Sequence, residues 1–326
     1  MKVRLSDNRA SADGLRRGTG KRYLRAKDLA TLVKLPIGAL VAWTLPEPAW
    51  DRVAAAGVQH LGGRAAADLE RLTTFVRGDE LGIPVEDILL RYERNVRLVQ
   101  AQYLRCHRWG GWRPRIRLEG REHLDRALGT GRGAIVWRAP FIFSTLATKM
   151  ALHGAGYELV QLARPEHGYS PTRFGIHVLN PIRTRAEDRF LTERVVIGEV
   201  PLPEAMRALG RRLAENKVVL IAVGAQGRRR CVAPFLRGVL RIATGVPNLM
   251  LRTGAPVFPV FTVREEPGRF RTVIEPPLEA RADAGREQVA QDLVAAVTAR
   301  IEHYARCWPD QFSWRDFVTG RDPSAE

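Results

Sequence analysis

Gly224-Ala225-Gln226-Gly227-Arg228-Arg229-Arg230 packs glycine backbone, an amide and a run of guanidinium groups into one short segment. Glycine lets the main chain come close to an anion, and guanidinium forks grip phosphate or carboxylate bidentately. A solvated basic turn is the other reading of the same residues. A second segment, Arg138-Ala139-Pro140-Phe141-Ile142-Phe143-Ser144-Thr145, offers different chemistry. Arg138 stays protonated, so it is an anion ligand and not a base. Ser144 and Thr145 carry hydroxyls suited to nucleophilic attack or to capping a following helix, and capping is the favoured role. A third segment runs Arg164-Pro165-Glu166-His167-Gly168-Tyr169-Ser170-Pro171-Thr172-Arg173. His167 is the candidate base, because imidazole exchanges a proton near neutral pH. An exposed loop histidine without a task is the competing reading. Arg164 and Arg173 flank it as further anion ligands.

Other reactive residues carry less. His153 and Glu158 have the spacing of a histidine–carboxylate pair, but the first ends a predicted helix and the second opens a strand, so the spacing is read as coincidence. His60, His107, His123, His177 and His303 fall in predicted helices or loops away from the candidate segments and are read as structural. Cys106, Cys231 and Cys307 are odd in number and far apart, in neither a disulfide framework nor a metal-ligand spacing. A reducing compartment and no metal are expected. The chain carries 52 Lys and Arg against 35 Asp and Glu, a formal charge of +17. Such a balance favours a polyanion, whether nucleic acid, an anionic membrane face or a phosphorylated substrate. A GC-rich genome would also raise the arginine count. No aromatic-basic strand signature, helix-turn-helix or zinc spacing accompanies the charge, so nucleic acid is not expected.

Positioning elements are legible from periodicity. Residues 1–22 read as a basic, disordered arm without the apolar core of a secretory leader. Residues 23–112 read as a helical, membrane-proximal region, with apolar residues at helical spacing over Asp51–Val58, Ala65–Arg77 and Asp87–Arg105. Leu29–Pro46 is apolar but interrupted by Lys34, Pro36 and Gly38. It is short for a spanning helix, and it reads as an interfacial helix with Arg22, Arg25 and Lys27 upstream, or as an ordinary core helix. The cluster Trp109–Pro114 marks a boundary. Over 113–320 helices and strands alternate: helix Gly120–Leu128, strand Gly133–Trp137, helix Phe143–His153, strand Glu158–Ala163, helix Pro203–Glu215, strand Lys217–Val223, helix Arg241–Thr253, strands Pro256–Val263 and Phe270–Ile274, helix Arg286–Arg306. Alternation of this kind predicts a sheet covered on both faces.

Three segments in register resemble the lipid A biosynthesis acyltransferase family of the lysophospholipid acyltransferase superfamily. They are Gly120–Trp137 (GREHLDRALGTGRGAIVW), Phe235–Phe261 with its Arg252-Thr253-Gly254-Ala255-Pro256-Val257, and Trp308-Pro309-Asp310-Gln311-Phe312-Ser313-Trp314. The resemblance implies an α/β fold with a mixed, mostly parallel sheet flanked by helices, plus an N-terminal helical extension. It implies transfer of a fatty acyl group from a thioester, acyl carrier protein or acyl-CoA, to a lipid hydroxyl on the cytoplasmic face of the inner membrane. Anionic membrane lipid and acyl carrier protein are the implied partners; no bound cofactor is expected.

The family's His-x4-Asp/Glu motif falls on this chain at Pro140 and Thr145, neither of which can act as a general base. The aspartate of a second family turn is Ala225, although Gln226 matches. Such departures fit an enzyme with a relocated base, for which His167 is the candidate, or a catalytically dead member that binds an anionic lipid, an acyl chain or acyl carrier protein. On either reading the turn from Trp137 to Thr145 is expected at the mouth of a lipid-sized groove. Backbone N–H groups at the helix start after Pro140 would hold the oxyanion.

Overall fold

The structure is a computed structural model and describes residues 22–59, 63–76, 78–281 and 284–317. Apart from Arg22, the arm expected over 1–22 lies outside these residues, as does His60. The N-terminal part is helical: α1 (Ala26–Thr44), α2 (Glu47–Gly57), α3 (Gly63–Phe75), the single turn α4 (Gly78–Leu81) and α5 (Val85–Cys106). Then come β1 (Arg115–Glu119), α6 (Arg121–Leu128), β2 (Ala134–Arg138), α7 (Ser144–Gly154) and β3 (Leu159–Ala163). A π-helical turn over Gly175–Leu179 leads into α8 (Pro181–Asp188), β4 (Glu193–Val196), α9 (Leu202–Ala214) and β5 (Val218–Ala222). The hairpin β6 (Arg230–Phe235) and β7 (Gly238–Ala243) precedes α10 (Gly245–Thr253), β8 (Val257–Glu266) and β9 (Arg269–Ile274). Helix α11 (Arg286–Cys307), a 3-10 turn over Pro309–Gln311 and the short α12 (Trp314–Phe317) follow.

The main sheet has seven strands in the order β1-β9-β8-β2-β5-β3-β4. Every neighbouring pair is parallel except β8 and β9. The fold is therefore the mixed, mostly parallel α/β sheet with an N-terminal helical region that the sequence implied. Its central strands are apolar on both faces because both faces are covered. Ile135 and Trp137 of β2 point into one core with Leu209 and Leu213 of α9, Leu249 of α10 and Leu293, Val297 and Ile301 of α11. Ala134 and Val136 point the other way, onto Leu124 of α6 and Leu152 of α7. Removing one large apolar side chain from water contributes about 1.5–3 kcal/mol, so these two layers dominate the stability. Gly133, just before β2, has φ +65°, and a Cβ there would sit 2.6 Å from Leu213 O. Only glycine allows the strand to enter so close to α9.

Two local expectations change. The helix expected over Arg241–Thr253 begins at Gly245, because Leu240 and Ile242 alternate inward as part of β7. Strands β1, β4 and β6 are not among the expected ones; β1 and β4 are edge strands of the main sheet, where charged residues such as Arg117, Glu193 and Arg194 are tolerated, and β6 lies in the separate hairpin. Helix α1 keeps Pro36 inside it. Its Ala42 is buried with Tyr103 and Leu104 of α5, and Trp43 Nε1 donates to Leu104 O at 2.8 Å. Leu35, Ala39 and Val41 pack partly against the same core, while the opposite side carries exposed apolar residues, with Val33 68% and Ile37 and Leu40 64% accessible. No helix among the described residues is long and apolar enough to cross a membrane.

Candidate functional site

Strands β2, β3, β4 and β5 are mutually parallel, so their C-terminal ends open on one edge of the sheet. Open α/β sheets place ligands at that edge. Arg138 is the last residue of β2, and the loop with Arg164 and His167 follows β3. The segment Gly224–Arg230 follows β5.

The turn after β2 is not the groove mouth that was expected. Ala139, Pro140, Phe141, Phe143 and Ser144 are buried. The reason is the C-terminal segment, which lies across them. Ser313 N–H donates to Pro140 O at 2.8 Å, and Ile142 N–H donates to Gln311 O at 2.9 Å. Phe141 packs edge-on against Phe261, Tyr304 and Phe312. The family-like Trp308–Trp314 motif is thus a strap over the turn. The N–H groups of Phe141, Ile142 and Ser144 all donate to protein carbonyls, so those expected to hold an oxyanion are already engaged. Ser144 Oγ accepts from Arg138 and sits 3.0 Å from Ala139 O and 2.5 Å from Phe141 O. Helix α7 accordingly starts without a side-chain cap, and Thr145 is half-buried on its first turn.

The chemistry gathers instead around Glu187 on α8. Its carboxylate is fully buried and holds partners from distant parts of the chain. His167 Nε2 donates to Oε1 at 2.8 Å, and Tyr103 Oη donates to the same oxygen at 2.7 Å. Lys149 Nζ lies 2.6 Å and Arg194 3.2 Å from Oε2. Burial pushes the Glu187 carboxyl up, but the charges of His167, Lys149 and Arg194 outweigh it and hold the group well below the ordinary carboxylate range. Burial pulls Lys149 down to about 8 despite the attraction of Glu187. Burial also depresses Arg138, against the attraction of Glu187. Tyr103 is pushed well above its usual value by burial and by Glu187, so it stays a neutral donor.

His167 is therefore a loop histidine whose Nε2–H is fixed by a buried carboxylate, with the side chain 27% exposed. That hydrogen bond leaves Nδ1 as the basic nitrogen. A histidine oriented by a carboxylate is the arrangement that general base catalysis requires.

The other arginines of the sequence reading stand apart. Arg164 and Arg173 are exposed, and Arg173 N–H donates to Arg22 O at 3.3 Å. Gln226, Arg228, Arg229 and Arg230 are exposed, with Gly227 half-buried. Arg230 Nε donates to Gly227 O at 3.1 Å, and Thr244 N–H to Arg229 O at 3.1 Å, which folds the segment onto the β6–β7 hairpin. His153 lies edge-on to Phe190, while Glu158 pairs with Lys217, so that spacing joins nothing. Tyr103, Lys149, Arg183, Glu187 and Arg194 escaped sequence reasoning. Each sits in a helix or edge strand whose local pattern is ordinary, and only the tertiary fold brings them together. A surface hollow between α9 and α10, lined by Arg207, Gly210, Arg211, Ala214, Arg252 and Thr253, shares no residue with this cluster.

The scaffold is thus a mostly parallel α/β sheet with an imidazole and arginines at the C-terminal ends of its strands and an aromatic strap across the turn after β2. The chain belongs to the bacterial lipid A biosynthesis acyltransferase family, whose model matches residues 111–315. No curated protein matches it.

Proposed function

We propose that the protein is a lipid acyltransferase working at a membrane surface. It transfers a fatty acyl group from a thioester donor, acyl carrier protein or CoA, to a lipid hydroxyl. The observation that carries this reading is the 2.8 Å contact between His167 Nε2 and the buried Glu187 carboxylate. It supplies a base and an orienting acid in a family member whose usual positions hold Pro140 and Thr145.

In the proposed reaction Nδ1 of His167 takes the proton of the acceptor hydroxyl as its oxygen attacks the thioester carbonyl. The C–O bond forms, the tetrahedral intermediate collapses and the C–S bond breaks. The proton on Nδ1 then passes to the departing thiolate. Lys149 and Arg194 on Glu187 keep that carboxylate ionised throughout, so it steadies imidazolium without taking the proton.

Membrane residence is supported by α1. Leu29, Val33, Ile37 and Leu40 form an exposed apolar stripe at helical spacing, and the exposed Arg22, Lys27 and Lys34 lie on or beside the same helix. Apolar residues with adjacent cations suit an anionic bilayer surface, and the proposed one is the cytoplasmic face of the inner membrane.

Incubation of the purified chain with acyl carrier protein and CoA thioesters and a panel of lipid acceptors tests the reading. Acylated lipid should form and should fall about 10²–10⁴-fold in His167→Gln. Turnover equal to that of heat-unfolded protein across the panel would sink it. The burial of the Trp137–Thr145 turn favours a second reading, in which the chain binds an anionic lipid, an acyl chain or acyl carrier protein without turnover. Co-purified lipid in native mass spectra with no acyl transfer would select that one.

A further inference from the structure

Arg183 on α8 is held between two aromatic rings. Its guanidinium carbon lies 5.0 Å from the centroid of Tyr103 and 4.6 Å from that of Tyr169. Stacking fixes the plane of the guanidinium and leaves its N–H edge to be satisfied elsewhere. The protein does not satisfy it completely: Arg183 Nε is buried and has no hydrogen-bond partner. Arg194 Nη1 and the hydroxyl of Tyr169 are in the same condition. The guanidinium of Arg138 engages the Ser144 hydroxyl, and among the described residues neither Arg138 nor Arg183 makes an ion pair with a carboxylate. Both charges act on Tyr103, whose ring Arg183 faces and whose hydroxyl bonds Glu187.

Arg138, Lys149, Arg183 and Arg194 converge on a neighbourhood whose bonded carboxylates are Glu187 and the half-exposed Asp188. Asp316 acts on Arg138 only from a distance. Buried cations without counter-charge are costly, and preorganised guanidinium edges in a low dielectric are strong ligands for oxyanions.

We propose that Arg183 and Arg138, with the Tyr169 hydroxyl as an added donor, form a binding pocket for a phosphate-class oxyanion carried by one of the substrates. The pocket adjoins the His167–Glu187 pair assigned to acyl transfer, but its occupancy does not require turnover. A lipid phosphate headgroup and the phosphate of a phosphopantetheine arm present the same chemistry to it.

Calorimetric titration of the full chain separates these sources. The probes are inorganic phosphate, dihexanoyl phosphatidate and 4′-phosphopantetheine, with dihexanoylglycerol and pantetheine as uncharged controls. Phosphate-bearing probes should bind at least tenfold tighter than their controls, and Arg183→Gln should lose about tenfold. Tyr169→Phe keeps the stacking ring and should lose a few-fold. Because its hydroxyl has no protein partner, that variant should unfold at the same temperature as the parent or higher, so it serves even where Arg183→Gln folds poorly. Tighter binding of the phosphatidate assigns the pocket to the lipid, and tighter binding of phosphopantetheine assigns it to the carrier arm. Equal binding of inorganic phosphate marks a bare oxyanion site. His167→Gln should bind the probes as the parent does, which separates this pocket from the acyl-transfer reading. No preference for phosphate over the controls, or parent-like binding by both the Arg183 and Tyr169 variants, overturns the proposal.

Discussion

Lys149 Nζ sits 2.6 Å from Glu187 Oε2, with both side chains wholly shielded from solvent. The pair anchors a carboxylate that also serves Tyr103, His167 and Arg194, so its two members are not equivalent. Removing Lys149 leaves Glu187 with cations and a hydroxyl still in place. Removing Glu187 strands Lys149 and leaves Arg194 with the half-exposed Asp188 alone. Glu187→Ala should therefore destabilise the fold by about 3–5 kcal/mol, and Lys149→Met by clearly less. Urea unfolding of both variants measures the ranking, and a Glu187→Ala cost below that of Lys149→Met would refute it.

The same carboxylate sets an acid limit. Glu187 has its folded pKa well below the ordinary 4.5. Below pH 4.5 the unfolded chain takes a proton that the folded chain refuses, so the contribution present above that pH is lost as pH falls toward the folded value. The slope is up to about 1.4 kcal/mol per pH unit for one proton. Lys149 works in the opposite window: its folded value of about 8 lies below the ordinary 10.5. Its burial cost is full below pH 8 and is relieved as pH rises toward 10.5. Stability curves of parent and Glu187→Gln should converge in acid, and parallel curves would count against the assignment.

Gln311 holds the aromatic strap to β8. Its Oε1 accepts from Arg264 N–H at 2.9 Å, and its Nε2 donates to Arg264 O at 2.8 Å. Gln311→Ala leaves both backbone groups unsatisfied and should cost about 1–3 kcal/mol. Hydrogen exchange should rise at Ile142, whose N–H bonds to Gln311 O. Unchanged protection there would mean that the strap is held by Phe312 and Trp314 alone.

Val33 and Ile37 are exposed on α1, so charging them touches no core contact. Val33→Glu and Ile37→Glu should leave the unfolding midpoint within about 0.5 kcal/mol of the parent. Each should weaken flotation with anionic vesicles by about tenfold or more, as one lost apolar insertion. Charge reversal at Arg228–Arg230, exposed at the far side of the β5 edge, tests the other basic surface. Vesicle binding indifferent to all these changes would remove α1 from the membrane reading.

The central sheet was legible because β2, β5 and β8 are apolar runs bounded by glycine, lysine or proline, and such runs have few other ways to fold. The edge strands were not. Arg115 and Arg117 of β1 and Glu193 and Arg194 of β4 break the apolar pattern at the edges, where a sheet stops needing it. The start of α10 is not legible although Pro247 lies in its first turn, because Ile242, Val246 and Leu249 also satisfy helical spacing. His167 was visible as the loop histidine after β3. Glu187 was not, since nothing in Pro181-Ile182-Arg183-Thr184-Arg185-Ala186-Glu187-Asp188 announces a buried acid amid arginines. Its role exists only once α5, α7 and β4 have closed around it.

Tyr103 reaches Glu187 across 84 positions of sequence. The hydroxyl comes from α5, while the carboxylate lies within the segment that the family's model matches. An excised fragment of residues 111–315 would keep the imidazole and the acid but lose one donor to that acid and one of the two rings that clamp Arg183. It would also bare Phe143 and Leu146, which α5 and its neighbours cover. Trimming to the catalytic-looking portion would therefore yield a sticky protein with a slackened centre, and the helical preamble must travel with the sheet in any expression experiment.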